Sequence, residues 1–147
     1  RFTRWNKMEE NLNPGLNMTK DGELSLGEIP ILTLAYLGDA VYEIMVRSYI
    51  LDHRTKVAQL HRKSAGMVKA QAQAQGVKKI EDLLTDQEKD YLRRGRNAHP
   101  KTRAKNASMN DYRLATGFES LWGYLYLTGQ EDRLRELFQR MWEENEG

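Results

Sequence analysis

Three carboxylates interrupt stretches that otherwise read as buried helix. Asp39 and Glu43 lie in LAYLGDAVYEIMVR (34–47), and Glu119 lies in DYRLATGFESLWGYLYL (111–127). At 100° per residue, Asp39 falls about 80° from Ile31, at the edge of the apolar stripe and on a flank shared with Leu32, Tyr36 and Glu43. Glu119 stands at the margin of a core face made by Leu114, Phe118, Leu121, Trp122 and Leu125. Small residues accompany both acids: Ala35 and Gly38 on the first stretch, Gly117 and Gly123 on the second. Glycine inside a helix costs about 1 kcal/mol against alanine, so this pattern predicts that the two helices cross closely there and bring Asp39 and Glu119 together. Two or three carboxylates with water completing the shell suit magnesium or manganese rather than zinc. Glu43 neighbours Asp39 at i+4 and is a supporting candidate. His53, His61 and His99 have no paired metal-ligand spacing. Taken as residues alone, each acid could equally be a solvated or salt-bridged helix position.

The elements that must position these acids are all helical. Leu34, Ala35, Gly38, Val41, Tyr42, Met45 and Val46 recur at the three-and-four spacing of a core stripe, predicting a first helix over 30–51 with Pro30 as its first residue. A second is expected over 56–63 and a third over 65–75, closed by Gly76. A fourth begins at Thr85, with Glu88 three residues on forming a capping box, and ends at Gly95. A fifth is capped by Asn110 and runs to Thr128, and an amphipathic sixth segment packs Leu134, Leu137, Phe138, Met141 and Trp142 on one side. No alternating pattern argues for a sheet, so the expected class is all-α.

The 147 residues suffice for one compact domain. Residues 1–27 are expected to be a mobile tail, of which 1–7 could be non-native, and 28–147 to be the folded domain. The absence of cysteine excludes disulfides and thiolate metal sites. No apolar run approaches the roughly 20 residues needed to span a bilayer, and the N-terminal stretch is too acidic and polar for a signal or transit peptide. A cytoplasmic protein is the expectation. The net charge of +2 conceals segregation. Residues 53–80 carry seven basic residues and 91–110 carry six, neither with an acid, which leaves −11 elsewhere. Such runs are the footprint of a nucleic-acid binder, although many are only solvated faces.

At these residues the sequence resembles the ribonuclease III family. LAYLGDAVYE resembles its signature helix and FESLWGYLYL its second acidic helix, while LHRKSAGMVKAQAQAQGV and LRRGRNA match in order between them. Full-length members carry four acids at the centre. Here Ala35 stands four residues before Asp39 and Thr116 three before Glu119, so only Asp39 and Glu119 carry over, as in the Mini-ribonuclease III branch, which has no double-stranded RNA-binding domain. The resemblance covers roughly residues 28 to 130. It implies a homodimeric helical bundle of the ribonuclease III endonuclease type, with Leu32 and Tyr36 at the subunit seam. It implies an endoribonuclease in which Asp39 and Glu119 hold Mg2+, or Mn2+ in its place, with Glu43 as a further candidate. The substrate implied is double-stranded RNA, cut to 5′-phosphate and 3′-hydroxyl ends with a short 3′ overhang, and in this branch the precursor of large-subunit (23S) ribosomal RNA. Grip would come from Arg94, Arg96, Lys101, Arg103 and Lys105, extended by Arg62, Lys63 and Lys69, because A-form RNA is read largely through phosphates and 2′-hydroxyls. Two other readings stay open at this point: a non-catalytic RNA-binding dimer with the same fold, and a helical protein-interaction module.

Overall fold

The computed structural model describes residues 19–20, 25–98 and 108–143. Among these the chain forms six α-helices: α1 Ile31–Ile50, α2 Val57–Val68, α3 Ala70–Ile80, α4 Asp86–Asn97, α5 Met109–Leu127 and α6 Glu131–Trp142. Short 3-10 turns at Leu26–Glu28 and Glu81–Leu83 complete the order, and no strand occurs among the described residues. The all-α expectation is met. The turn at Leu26–Glu28 spans residue 28, and Ile29 after it is buried.

Helix α5 is the axis of the domain, with α1, α3, α4 and α6 all packed on it. Its apolar residues explain why. Phe118, Leu121, Trp122 and Leu125 are fully buried, and Tyr42 of α1 meets Phe118 and Trp122 edge-on at centroid distances of 4.8 and 6.0 Å. Leu134, Leu137, Phe138 and Met141 of α6 close the core from the other side. After α5 the chain turns at Gly129, whose φ of 70° is a conformation that glycine adopts without strain.

Several helix ends differ from expectation. Helix α2 continues to Val68, past Gly66, around which an added Cβ would meet nothing. The break falls at Lys69, whose extended backbone ends α2 and starts α3. Gly76 does not stop α3. The Met141 side chain of α6 fills the space a Cβ would need, and the helix runs on so that Val77 and Ile80 reach the core. Gly95 likewise lies inside α4, which ends two residues later. Pro30 is the N-cap of α1 rather than its first helical residue. Ser108, not Asn110, caps α5, its hydroxyl accepting from the Asp111 amide at 3.0 Å.

The predicted capping box is present: Thr85 Oγ1 accepts from the Glu88 amide and Glu88 accepts from the Thr85 amide. The same Glu88 carboxylate accepts two bonds from Arg133 of α6, each 2.9 Å, while Arg133 also donates to the Leu83 carbonyl. This buried acid ties α4 to α6. Its partners are fully accounted for by the fold.

Candidate active site

The crossing of α1 and α5 creates the site. A Cβ at Gly38 would lie 1.8 Å from the Glu119 carbonyl oxygen and 2.7 Å from the Gly123 nitrogen; one at Gly123 would lie 2.1 Å from the Leu34 carbonyl oxygen. The two backbones therefore touch, and no larger residue fits at either place. Gly117 was expected at this crossing but serves another. It packs on α4, where a Cβ would come within 2.5 Å of the Leu92 carbonyl oxygen, because it points about 120° round α5 from Gly123.

Backbone contact places Asp39 and Glu119, eighty residues apart in sequence, side by side in one cleft. They line a cleft of about 230 Å³ together with Leu32, Ala35, Tyr36, Tyr112 and Thr116. Burial, and then the adjacent Asp39 charge, push the Glu119 carboxyl up to about 8, so without a cation this pair retains a proton at neutral pH. A site of two close carboxylates, one of them resisting ionisation beside the other, fits a hard cation that takes oxygen ligands. Among the described residues no group of three or more acids or histidines gathers in a way that could hold a metal. Two carboxylates per chain is also the number that magnesium uses when substrate phosphate and water supply the rest.

The other predicted residues are placed as follows. Glu43 is not among the residues lining the cleft; it pairs with Arg47 at 2.9 Å, one turn along α1. Leu32 and Tyr36 stand at the cleft mouth with 41% and 82% of their surface exposed. Arg62, Lys63, Lys69 and Arg96 are exposed, and Arg94 is half-buried, its guanidinium 5.1 Å from the Tyr91 ring centroid and 4.0 Å from Asp90. Lys101, Arg103 and Lys105 lie outside the described residues. Arg96 shares a groove of about 600 Å³ with Lys78 and Arg113. Arg113 escaped the sequence reading because Asp111 takes it outside the acid-free runs.

One neighbour of the pair was missed altogether. Gln73 of α3 is 1% exposed, and its amide, which donates to the Val68 carbonyl at 3.0 Å, lies beside Glu119 and draws that carboxyl down against the larger effect of burial. The repetitive AQAQAQ run around it gives no sign by residue type, although its position on the apolar face of α3, beside Val77 and Ile80, could have raised the question.

Comparison with known proteins decides the family. Residues 32–130 match the ribonuclease III domain. The chain belongs to the ribonuclease III family. Within it, the chain is 46% identical over 123 residues to the Mini-ribonuclease 3 of Thermoanaerobacter sp. (strain X514), covering 83% of this chain and 84% of that one. It is 49% identical over 108 residues to the Mini-ribonuclease 3 of Clostridium tetani, 72% of each chain, and 50% identical over 109 residues to that of Enterococcus faecalis, 72% and 83%. The crystal structure of protein FN1578 from Fusobacterium nucleatum, 28% identical, superposes with a TM-score of 0.72 over 76% of this chain and 90% of that one. The Mini-ribonuclease III assignment and the endonuclease-domain fold stand, and this family member is an endoribonuclease acting on RNA. No described helix is long and apolar enough to cross a membrane.

Proposed function

We propose that this endoribonuclease cleaves double-stranded RNA with magnesium held by Asp39 and Glu119, and that its natural substrate is the precursor of large-subunit ribosomal RNA. The observation that carries this reading is the convergence of the two acids in one cleft, enforced by the Gly38 and Gly123 contacts. Bound there, magnesium or manganese supplies charge stabilisation at the scissile phosphate and acidifies a coordinated water, the chemistry of in-line phosphodiester hydrolysis. The chain itself contributes the paired carboxylates, a cleft narrowed by Tyr36 and Tyr112, and basic side chains that hold the backbone. No nucleophilic side chain is required, so a 5′-phosphate and a 3′-hydroxyl are the expected ends.

The working unit is a homodimer with one site per subunit. Leu32, Tyr36 and Ile44 are 41%, 82% and 61% exposed on α1. At 100° per residue they fall within an arc of about 120°. Three large apolar residues on one outer face suit burial against a second copy. The position of Tyr36 at both the seam and the cleft would couple the two. A cytoplasmic location follows from the proposed substrate.

The test is incubation of long double-stranded RNA, and of the same strands unannealed, with the protein at rising salt, with magnesium or EDTA. The reading expects duplex-selective cleavage that needs the metal, leaves ligatable 5′-phosphates and weakens steeply with salt as phosphate contacts are screened. Equal cleavage of single strands, or a flat salt response, would overturn the substrate assignment.

A further inference from the structure

The cleft that holds Asp39 and Glu119 is lined on its α5 side by a single file of residues, Tyr112, Thr116 and Glu119. They fall within an arc of about 60° at 100° per residue, and the 1.5 Å rise puts Tyr112 about 10 Å along the axis from Glu119. The rest of the lining is Leu32, Ala35, Tyr36 and Asp39 of α1, with no lysine or arginine. Helical rotation explains that lack. Asn110, Arg113 and Leu114, which share the basic groove with Lys78 and Arg96, fall on the opposite side of α5, so the cations of that groove are turned away from the acids.

A strand in this cleft therefore meets two carboxylates and otherwise neutral side chains. Leu32 and Ala35 offer no hydrogen bond, and the Thr116 hydroxyl donates to the Tyr112 carbonyl at 3.1 Å within the helix. That leaves the phenols of Tyr36 and Tyr112, of which Tyr36 is assigned above to the seam with a second copy. A phenol both donates and accepts, and so does the ribose 2′-hydroxyl, the group by which a protein tells RNA from DNA. Phosphate oxygens, by contrast, are held most firmly by cationic donors, and the cleft has none.

We infer that Tyr112 is a specificity-determining residue that hydrogen-bonds a ribose 2′-hydroxyl of the strand whose scissile phosphate lies at Asp39 and Glu119. This assignment rests on the Asp39–Glu119 reading given above. Helix α5 then spans two tasks: its Glu119 turn serves the reacting phosphate, and its Tyr112 turn checks the sugar of a neighbouring nucleotide. The acids alone would serve any phosphodiester. The phenol makes the cleft prefer RNA.

The experiment compares the full chain with Tyr112→Phe, which removes only the phenolic oxygen, and with Asp39→Asn, on an RNA duplex cut at one mapped position. The cleaved strand carries a single 2′-deoxyribose, moved one nucleotide at a time across that position. In the parent, kcat/KM is expected to fall about 3- to 10-fold at one ribose, as loss of one hydrogen bond would give. Tyr112→Phe is expected to lose about as much on the all-ribose duplex and to lose nothing further when that ribose is deoxy. Its melting temperature, and its Mn2+ affinity without RNA by titration calorimetry, should stay parental. Parental cleavage by Tyr112→Phe, or deoxy losses that add to the variant's own at every position, would overturn the contact. A purely structural phenol would lower the melting temperature and leave the parent's deoxy profile in place, which would overturn it as well. If the phenylalanine variant folds poorly, Tyr112→Met carries the same expectation, and a flat deoxy profile in the parent overturns the contact with no variant needed. An Asp39→Asn that cleaves like the parent would overturn the two-acid site, and this assignment with it.

Discussion

Helix α5 is crossed twice through glycines, and the two crossings differ in what they border. Against α1, Gly38 and Gly123 set backbone on backbone, and the contact is flanked by Asp39 and Glu119 in an open cleft. Against α4, Gly95 and Gly117 do the same, with a Cβ on Gly95 falling 2.3 Å from Ser120 Oγ and 2.8 Å from Gly117 Cα. That contact is flanked by buried Leu92 and by Tyr91 stacked on Tyr124 at 4.1 Å. On the proposed reading, one packing device serves chemistry in one place and stability in the other. Close approach of two helices makes a site only where it brings polar groups together at an edge that solvent can reach.

Substitutions at the two crossings should break this comparison in different ways. Gly38→Ala pushes a methyl group into the Glu119 carbonyl, which cannot move without the helix. Overpacking commonly costs about 1–3 kcal/mol, and a collision with backbone belongs at or above the upper end. Denaturant unfolding should register that loss, and cleavage should disappear even under conditions where the variant is folded. Gly95→Ala collides with the Ser120 side chain and with Gly117, and should lose about 1–3 kcal/mol. Its folded fraction should still cleave with the parental magnesium requirement. A changed magnesium requirement in Gly95→Ala, or normal cleavage by Gly38→Ala, would erase the distinction.

A smaller difference should appear with pH. In the metal-free protein the Glu119 carboxyl titrates near 8, against 4.5 ordinarily, so between those values the folded chain binds more protons than the unfolded one. The stability this group contributes is complete below about pH 4.5 and is lost as pH rises to about 8. Thermal melts across that window should show a decline that Asp39→Asn reduces, because burial remains but the neighbouring charge is gone. An unchanged slope in the variant would deny the coupling. Smallest of all, Gly66→Ala on α2 meets no neighbour and should stabilise the helix by up to about 1 kcal/mol with no change in cleavage.

The same contrast explains what could be read from the chain. The three-and-four spacing of Leu34, Val41, Tyr42 and Val46, and of Phe118, Leu121, Trp122 and Leu125, sets the two buried helices directly, and Gly38 with Gly123 points to their crossing. Glycine was misread where its role depends on a distant partner. Gly76 and Gly95 read locally as helix ends, whereas Met141, and Ser120 with Gly117, fill the space that their missing side chains leave. Gln73 was illegible for a related reason. Its amide stands between the Val68 carbonyl, five residues before it, and Glu119, forty-six after, and no local spacing encodes that meeting.

The claim at the centre of this account is that Asp39 and Glu119 form one metal-dependent site. Its most direct test is cleavage of long double-stranded RNA by Asp39→Asn at saturating magnesium, beside the affinity of that variant for the same RNA in EDTA. If the two acids form one site, Asp39→Asn binds within about twofold of the parent and its cleavage slows by more than about a hundredfold, beyond the loss expected of an indirect partner. Parental cleavage by Asp39→Asn would contradict it.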